Sequence, residues 1–333
     1  TMTAPLTQSQ FMENTKNFLL DRDIPFNKDV QVWKTDMSPE EQETFCKALS
    51  GLTVLDTHQG SDGMTLIGLH EEDGQVKALL SWFGMMEHVH AKFYSKTFQT
   101  LISTEKINYY MEDWVRQQPN LQRKAKYIVD HYRKLFSPEP TLVDRWKAKA
   151  CSVMLESGLF YSGFYFPLML AGGWGGSSPK ARMVDTNDGI NLIIRDESLH
   201  GSYIGWSAEQ NFNAWFNEEE KKELTEWFYE SLEFLYENEK VYTHELYDNL
   251  GLTEDALKFV RFNFNRVCVQ LGFEEMYEEE DINPIVETAL SVSTKNHDFF
   301  SRINNSYFKA DVTPVTDDTF KFDRTPAVML VKR

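Results

Sequence analysis

Apolar residues recur along most of the chain at three- and four-residue spacing, and strand-like alternation is rare, so the pattern predicts long helices with short connections. Ser38-Pro39-Glu40-Glu41 has the form of a capping box with proline at the first helical position, and predicts a helix carrying Phe45, Leu49, Leu52, Leu55 and Asp56. Asp73 or Gly74 opens the next helix, which runs through Trp82 and Glu87 to about Ile102. Residues 104–117 and 119–136 give two more, parted near Pro119. A long helix follows from Thr141 to about Leu170, strongly apolar after Cys151, and Pro167 is expected to kink or end it. Helix resumes after Asn187. Asn217 is expected to cap a long acidic helix closed by Gly251, and Thr253 another closed by Gly272. Residues 1–37, with Pro5 and Pro25 and no sustained period, read as an irregular arm, and residues from about 295 as a flexible tail. No internal boundary or repeat interrupts the pattern. The expectation is one all-α domain over 1–333.

Composition agrees, since only 17 glycines and 11 prolines occur in 333 residues. A formal charge of -17, with no basic arm, argues against a nucleic-acid partner. Cys46, Cys151 and Cys268 lie far apart in apolar stretches, which implies buried thiols rather than a disulfide framework or zinc knuckle. The most apolar run, Leu159 to Gly172, contains Tyr, Ser and Pro and is too short to span a bilayer, and no signal peptide opens the chain. No membrane partner is expected, and the cytoplasm is the expected compartment. The glycine-rich stretch 172–179 lacks the Gly-Lys-Ser/Thr that a phosphate cradle needs and reads as a connector.

The chemistry lies in polar residues stranded in apolar helices. Glu87 and His90 form Glu-x-x-His, one near-complete turn apart, so both side chains leave one helix face. Glu197 and His200 repeat that spacing. Asp56 and Glu156 add one carboxylate from each of two further helices, and no basic residue lies within a turn of Glu156. Buried carboxylates cost several kcal/mol unless paired or metal-bound. Arg195 and Lys92, the counter-charges on the same helices, do not balance four acids. Two Glu-x-x-His pairs plus two single carboxylates form the ligand set of ferritin-like di-iron and di-manganese bundles, here with Asp in one place. Four carboxylates neutralise two divalent ions, and oxygen-rich ligation with two imidazoles suits manganese or iron. Tyr94 follows His90 by four residues, over the same face. Phe160, Phe164 and Ile193 fall where they would wall a phenol from water.

These segments together resemble a known family. Leu55-Asp56-Thr57-x-Gln59-Gly60, Met86-Glu87-x-Val89-His90-Ala91-Lys92-x-Tyr94-Ser95, Leu155-Glu156-Ser157-x-Leu159-Phe160-Tyr161-Ser162-Gly163-Phe164 and Ile194-Arg195-Asp196-Glu197-x-x-His200-Gly201 are similar to the small, radical-generating subunit of class Ib ribonucleotide reductase. Asp281-Ile282-Asn283-Pro284 and Asn296-His297-Asp298-Phe299-Phe300-Ser301 extend the likeness over nearly the whole chain. The resemblance implies a homodimeric ferritin-like bundle with additional helices, binding two manganese or two iron ions through Asp56, Glu87, His90, Glu156, Glu197 and His200. It makes Tyr94 the tyrosine oxidised to a stored radical. Asp196 becomes the acid that hydrogen-bonds His90 and helps pass the radical outward, and Tyr307 the tail tyrosine that relays it. The implied partners are a large catalytic subunit, which reduces ribonucleoside diphosphates to deoxyribonucleotides, and a small flavodoxin-like activator that supplies the oxidant for the manganese form.

Four features depart from that family. Leu19 follows Phe18 where the family has the tryptophan that bridges the site to the surface, although Ile24-Pro25, Asp29 and Trp33 fit. A leucine carries neither charge nor proton, so an alternative stays open: a dimetal-carboxylate oxidase, or a divergent small subunit whose radical leaves by another route. Trp33 is the other tryptophan on hand for such a route. The stretch 172–179 is longer than usual, Phe93 replaces a smaller residue, and the tail ends Val331-Lys332-Arg333 where the family ends acidic. Metal storage is disfavoured, because nothing in the sequence announces acidic entry paths or assembly into a shell.

Overall fold

The capping box expected at Ser38 forms. The Glu41 amide donates to Ser38 Oγ at 3.2 Å and the Ser38 amide to Glu41 Oε2 at 2.8 Å. The computed structural model describes residues 5–16, 24–175 and 180–291, and every regular element among them is helical. In chain order α1 spans Pro5–Lys16, α2 Asn27–Thr35, α3 Pro39–His58, α4 Thr65–Leu69, α5 Gly74–Leu101, α6 Thr104–Asn108 and α7 Val115–Gln117. There follow α8 Pro119–Arg133, α9 Leu142–Met154, α10 Tyr161–Ala171, α11 Val184–Trp215, α12 Glu218–Tyr247, α13 Thr253–Gln270 and α14 Pro284–Ser291. π-Helical turns at Gln59–Met64, Tyr109–Trp114 and Leu155–Leu159 join α3 to α4, α6 to α7, and α9 towards α10.

The centre is a four-part bundle in which α3 packs on α5, α9 on α11, and α10 on both α3 and α11. Its facing positions are those that the spacing selects. Phe45, Leu49, Leu52 and Leu55 of α3 meet Leu79, Phe83 and Met86 of α5, Phe160 and Phe164 near α10, and Ile190, Ile193 and Ile194 of α11 in one buried core. Burying each such side chain contributes about 1.5–3 kcal/mol. α8, α12 and α13 pack around this centre, and α14 rests on α10. All described residues fall within one unit, residues 1–303. The three cysteines are buried and free, and among the described residues no helix is long and apolar enough to cross a membrane.

Three expectations need correction. The N-terminal arm is largely helical over α1 and α2 rather than irregular. The apolar positions of α1 do not line one face, so periodicity could not reveal it. It is held instead from outside, by a 2.9 Å hydrogen bond between the Thr7 and Tyr203 hydroxyls and by Phe11 against Trp82. In α2, the Asp29 carboxylate accepts from the amides of Asp185 and Thr186, at 3.1 and 2.6 Å, and so caps the start of α11. Pro167 does not end its helix, which runs on to Ala171; the break comes earlier, at the turn containing Glu156. Thr253 is the first residue of α13 rather than its cap, and its hydroxyl donates to Asp248 Oδ1 at 2.6 Å. The caps at Asp73 and Asn217 form, and Gly251 and Gly272 take the left-handed conformations expected after α12 and α13. Leu19, Tyr307, the Asn296–Ser301 motif and residues 176–179 lie outside the described residues.

One ion pair sits deep among the outer helices. Lys124 of α8 reaches both oxygens of Glu239 of α12 at 2.9 Å, Ser162 Oγ donates to Glu239 Oε1, and the ammonium lies 3.9 Å from the centre of the Tyr242 ring. Both charges are out of water, with side chains 1% and 0% exposed. Removing one leaves the other unpaired, so Lys124→Met should destabilise the fold by about 3–5 kcal/mol in urea unfolding. Adding Glu239→Met should recover most of that loss; a double variant as unstable as the single one would show that the pair itself, rather than the orphaned charge, carries the energy.

Candidate metal centre

The six residues singled out by the sequence meet in one place. Glu87 and His90 lie a turn apart on α5, Glu197 and His200 a turn apart on α11, Asp56 in the last turn of α3, and Glu156 in the π-helical turn after α9. All six are 0% exposed. Asp56 and Glu156, the two without a sequence partner, are as deep as the others.

Two groups of ligand atoms, each within 4.8 Å of one another, share Glu87: Asp56, Glu87 and His90, and Glu87, Glu156, Glu197 and His200. Glu87 directs Oε1 at His200 Nδ1, 2.7 Å away, and Oε2 at His90 Nδ1, 3.7 Å away. Glu197 spans the same imidazoles in the opposite sense, Oε1 lying 2.9 Å from His90 Nδ1 and Oε2 3.5 Å from His200 Nδ1. Glu156 Oε2 approaches His200 Nδ1 at 3.7 Å. The two rings are stacked 6.3 Å apart. Two carboxylates therefore lie between the histidines, with Asp56 grouped on the His90 side and Glu156 on the His200 side.

Short as these separations are, the atoms do not satisfy one another. Both oxygens of Asp56, Glu87 and Glu197, Glu156 Oε2, and Nδ1 of both histidines find no hydrogen-bond partner of acceptable geometry among the described residues. They converge on common space rather than pairing across it. A buried polar atom left so costs about 1–3 kcal/mol, and a charged one more. Cations fit this donor set: hard oxygens, two imidazole nitrogens, and charge enough for two divalent ions. His90 is oriented for the task. Its Nε2 lies 3.3 Å from Asp196 Oδ2, which turns Nε2 outward and leaves Nδ1 facing the cluster. Asp196 is itself anchored, its Oδ1 accepting from Arg195 Nη2 at 3.0 Å.

Without cations the cluster must hold protons. Burial, followed by repulsion from Glu87, pushes the Asp56 carboxyl well up, and burial with the charges of Glu87 and Glu156 does the same to Glu197. Burial opposes a charge on His90, but Asp196 and Glu87 outweigh it and hold the imidazole at about 10. His200 is likewise raised against burial, chiefly by Glu156. Glu87 goes the other way: burial would raise it, yet contact with His200 and His90 brings it to about 2. Arg195 Nη2 lies 3.0 Å from Asp196 Oδ1, and Lys92 is exposed.

Tyr94 is fully buried, with no hydrogen-bond partner for its hydroxyl among the described residues. Burial pushes its phenol well up, helped by the charges of Asp56, Glu197 and Glu87 in that order. Phe160, Phe164 and Ile193 are fully buried in the shared core. Phe83, four residues before Glu87, adds a ring 4.2 Å from that of His200, which sequence reasoning missed although the spacing would have found it. Also missed is Gln59, which donates to Glu156 and to Ser152 and accepts from the Tyr132 hydroxyl. Phe93 stands edge-on to Tyr94 at 5.7 Å and against Phe26 at 5.7 Å, in space that Gly189 of α11 leaves open. Trp33 packs edge-on to Phe45 at 5.6 Å.

A family model described as ribonucleotide reductase, small chain, matches residues 4–284. The ribonucleoside-diphosphate reductase subunit beta of Bacillus subtilis is 45% identical over 318 residues, 95% of this chain and 93% of that one. The subunit beta nrdF1 of Mycobacterium tuberculosis is 40% identical over 311 residues, 92% and 91% of the two chains. Among solved structures, the dimanganese(II)-NrdF of Streptococcus sanguinis is similar with a TM-score of 0.79 and 35% identity, covering 87% of this chain and 97% of that one.

A Cβ added at Gly189 would overlap Phe93 Cζ. Gly189→Ala should therefore destabilise the fold by about 1–3 kcal/mol through overpacking. Denaturant titration of Gly189→Ala, Phe93→Leu and the double variant should give less than the sum of the single losses. Strict additivity would mean the two positions do not share this space.

Proposed function

The chain belongs to the ribonucleotide reductase small-chain family, and from that premise we propose that it is the small subunit of a ribonucleoside-diphosphate reductase, acting as one ferritin-like domain that stores a radical on Tyr94. Asp56, Glu87, His90, Glu156, Glu197 and His200 would hold two manganese or two iron ions. One observation carries this reading: carboxylate and imidazole atoms from four parts of the bundle converge, buried and without hydrogen bonds to one another. Once oxidised by an external oxidant, such a metal pair would supply the one-electron oxidising equivalent that a buried phenol yields to. The residues do the rest. Tyr94 gives up an electron and its phenolic proton, and the acids whose charges act on that phenol are Asp56, Glu197 and Glu87. Phe83, Phe160, Phe164 and Ile193 keep water away, which preserves the oxidised ring.

Asp196 is a positioning residue on this reading, fixing the His90 tautomer, and lies on the side from which the radical leaves. The large catalytic subunit and a second copy of this chain are the expected partners, as in the family, and a flavodoxin-like activator would deliver oxidant to the manganese form. Tyr307 would relay the radical from the tail. Leu19 favours a second reading, a dimetal-carboxylate oxidase or a small subunit with another exit route. Deoxyribonucleotide formation with the matching large subunit supports a small subunit, and full activity with Leu19 in place supports another exit route. Its absence beside a normal radical supports the oxidase, and rescue of weak formation by Leu19→Trp returns the chain to the first reading.

Two outcomes test the site. Reconstitution with manganese or iron and oxidant should give a tyrosyl signal in electron paramagnetic resonance, and Tyr94→Phe should abolish it while keeping full metal content; a persisting signal would move the radical elsewhere. Metal uptake should release protons. His90 holds its proton up to about pH 10 in the metal-free chain, and Asp56 and Glu197 are also raised, so apparent affinity should climb with pH across the neutral range. Calorimetry in buffers of different ionisation enthalpy reads both effects, and uptake without proton release would contradict them.

A further inference from the structure

Among the described residues, Glu156 is the one carboxylate of the cluster with an oxygen hydrogen-bonded to protein. Gln59 Nε2 donates to Glu156 Oε1 at 2.6 Å and to Ser152 Oγ at 2.7 Å, while Gln59 Oε1 accepts from the Tyr132 hydroxyl at 2.5 Å. Both N–H groups and the carbonyl of this amide are thus used, in a side chain that is 0% exposed. The reversed amide would set its oxygen against the Glu156 carboxylate, so the order Tyr132, Gln59, Glu156 admits one orientation. Gln59 opens the π-helical turn that follows Asp56, and Glu156 lies within another. Such turns re-aim side chains that a regular helix would place elsewhere. Space for the amide is reserved: a Cβ at Gly63 would stand 2.5 Å from Gln59 Oε1 and 2.9 Å from Tyr132 Cε2.

We infer that Gln59, locked by Tyr132, is a positioning residue that restricts Glu156 to one-oxygen coordination, Oε2 being the atom left for a cation. The inference rests on the dimetal reading. Nothing comparable constrains Asp56, Glu87 or Glu197, whose oxygens all lack hydrogen-bond partners among the described residues. The constraint therefore acts on one side of the site, where Glu156 and His200 lie together. Without it, Glu156 Oε1 is free to turn inward and bind as well.

The experiment compares the full chain with Gln59→Leu and Tyr132→Phe. Manganese(II) is titrated anaerobically while free ion is followed by electron paramagnetic resonance. Loaded-minus-empty infrared spectra report whether carboxylates bind through one oxygen or two. Wild type should take two ions per chain. Gln59→Leu should change one of the two binding steps by about ten- to hundredfold and leave the other alone. It should also move one carboxylate from the one-oxygen to the two-oxygen band pattern. Tyr132→Phe keeps the ring and should alter the same step and bands by a smaller factor, so it decides the matter if Gln59→Leu does not fold. Two ions bound by wild type with unchanged affinities and bands in the folded variants would overturn this inference alone. Fewer than two ions bound by wild type would overturn the dimetal reading and this one with it.

Discussion

Four carboxylates held out of water within a few ångströms of one another are the constraint to which the rest of the molecule answers. Such charges cannot stay buried unless something positive sits among them or protons remove the charge. The metal-free chain takes the second course, with raised carboxyls at Asp56 and Glu197 and raised imidazoles at His90 and His200. Two divalent cations would replace those protons and satisfy the same atoms. The fold is therefore arranged to keep an expensive site open, and its large aromatic core offsets that cost.

Several devices hold the arrangement in place. α5 and α11 each carry a Glu-x-x-His turn, so two helices fix four of the candidate ligands, and the contacts of Glu87 with His200 and of Glu197 with His90 tie the two turns into one geometry. α11 is anchored at its start by Asp29 of α2. At the near end of that helix, the connector after α10 is held by Arg182, which forks onto Glu41 at 2.7 and 3.0 Å and reaches the Trp174 carbonyl at 2.8 Å. The first turn of α3 is thus linked to the element that leads into α11, while the last turn of α3 delivers Asp56.

The site was legible because its chemistry conflicts with its surroundings. Asp56, Glu87, Glu156 and Glu197 stand out as acids in apolar helices, and Glu-x-x-His spacing declares a shared face, so burial and convergence follow without knowledge of the tertiary structure. The capping box at Ser38 and the cap at Asn217 were legible for a similar reason, since each is a local pattern satisfied within four residues. α1 was not, because its helix depends on Tyr203 and Trp82, far away in sequence. The π-helical turns were hidden too: inserting a residue into a helix leaves no mark in composition. Gln59 and Tyr132 were missed because a glutamine or tyrosine on a helix is unremarkable until the residue it bonds to is known. Pro167 does not end its helix because a proline that breaks an isolated helix can be carried by the packing around it, here on a helix whose residues from Tyr161 to Leu170 are all buried.

The central claim is that this cluster is built around two cations. Anomalous X-ray scattering at the manganese edge, from crystals of the full chain grown with manganese(II), tests it most directly. The account predicts two peaks, one among Asp56, Glu87 and His90 and one among Glu87, Glu156, Glu197 and His200. No peak at these positions, with the imidazoles hydrogen-bonded straight to the carboxylates, would contradict it.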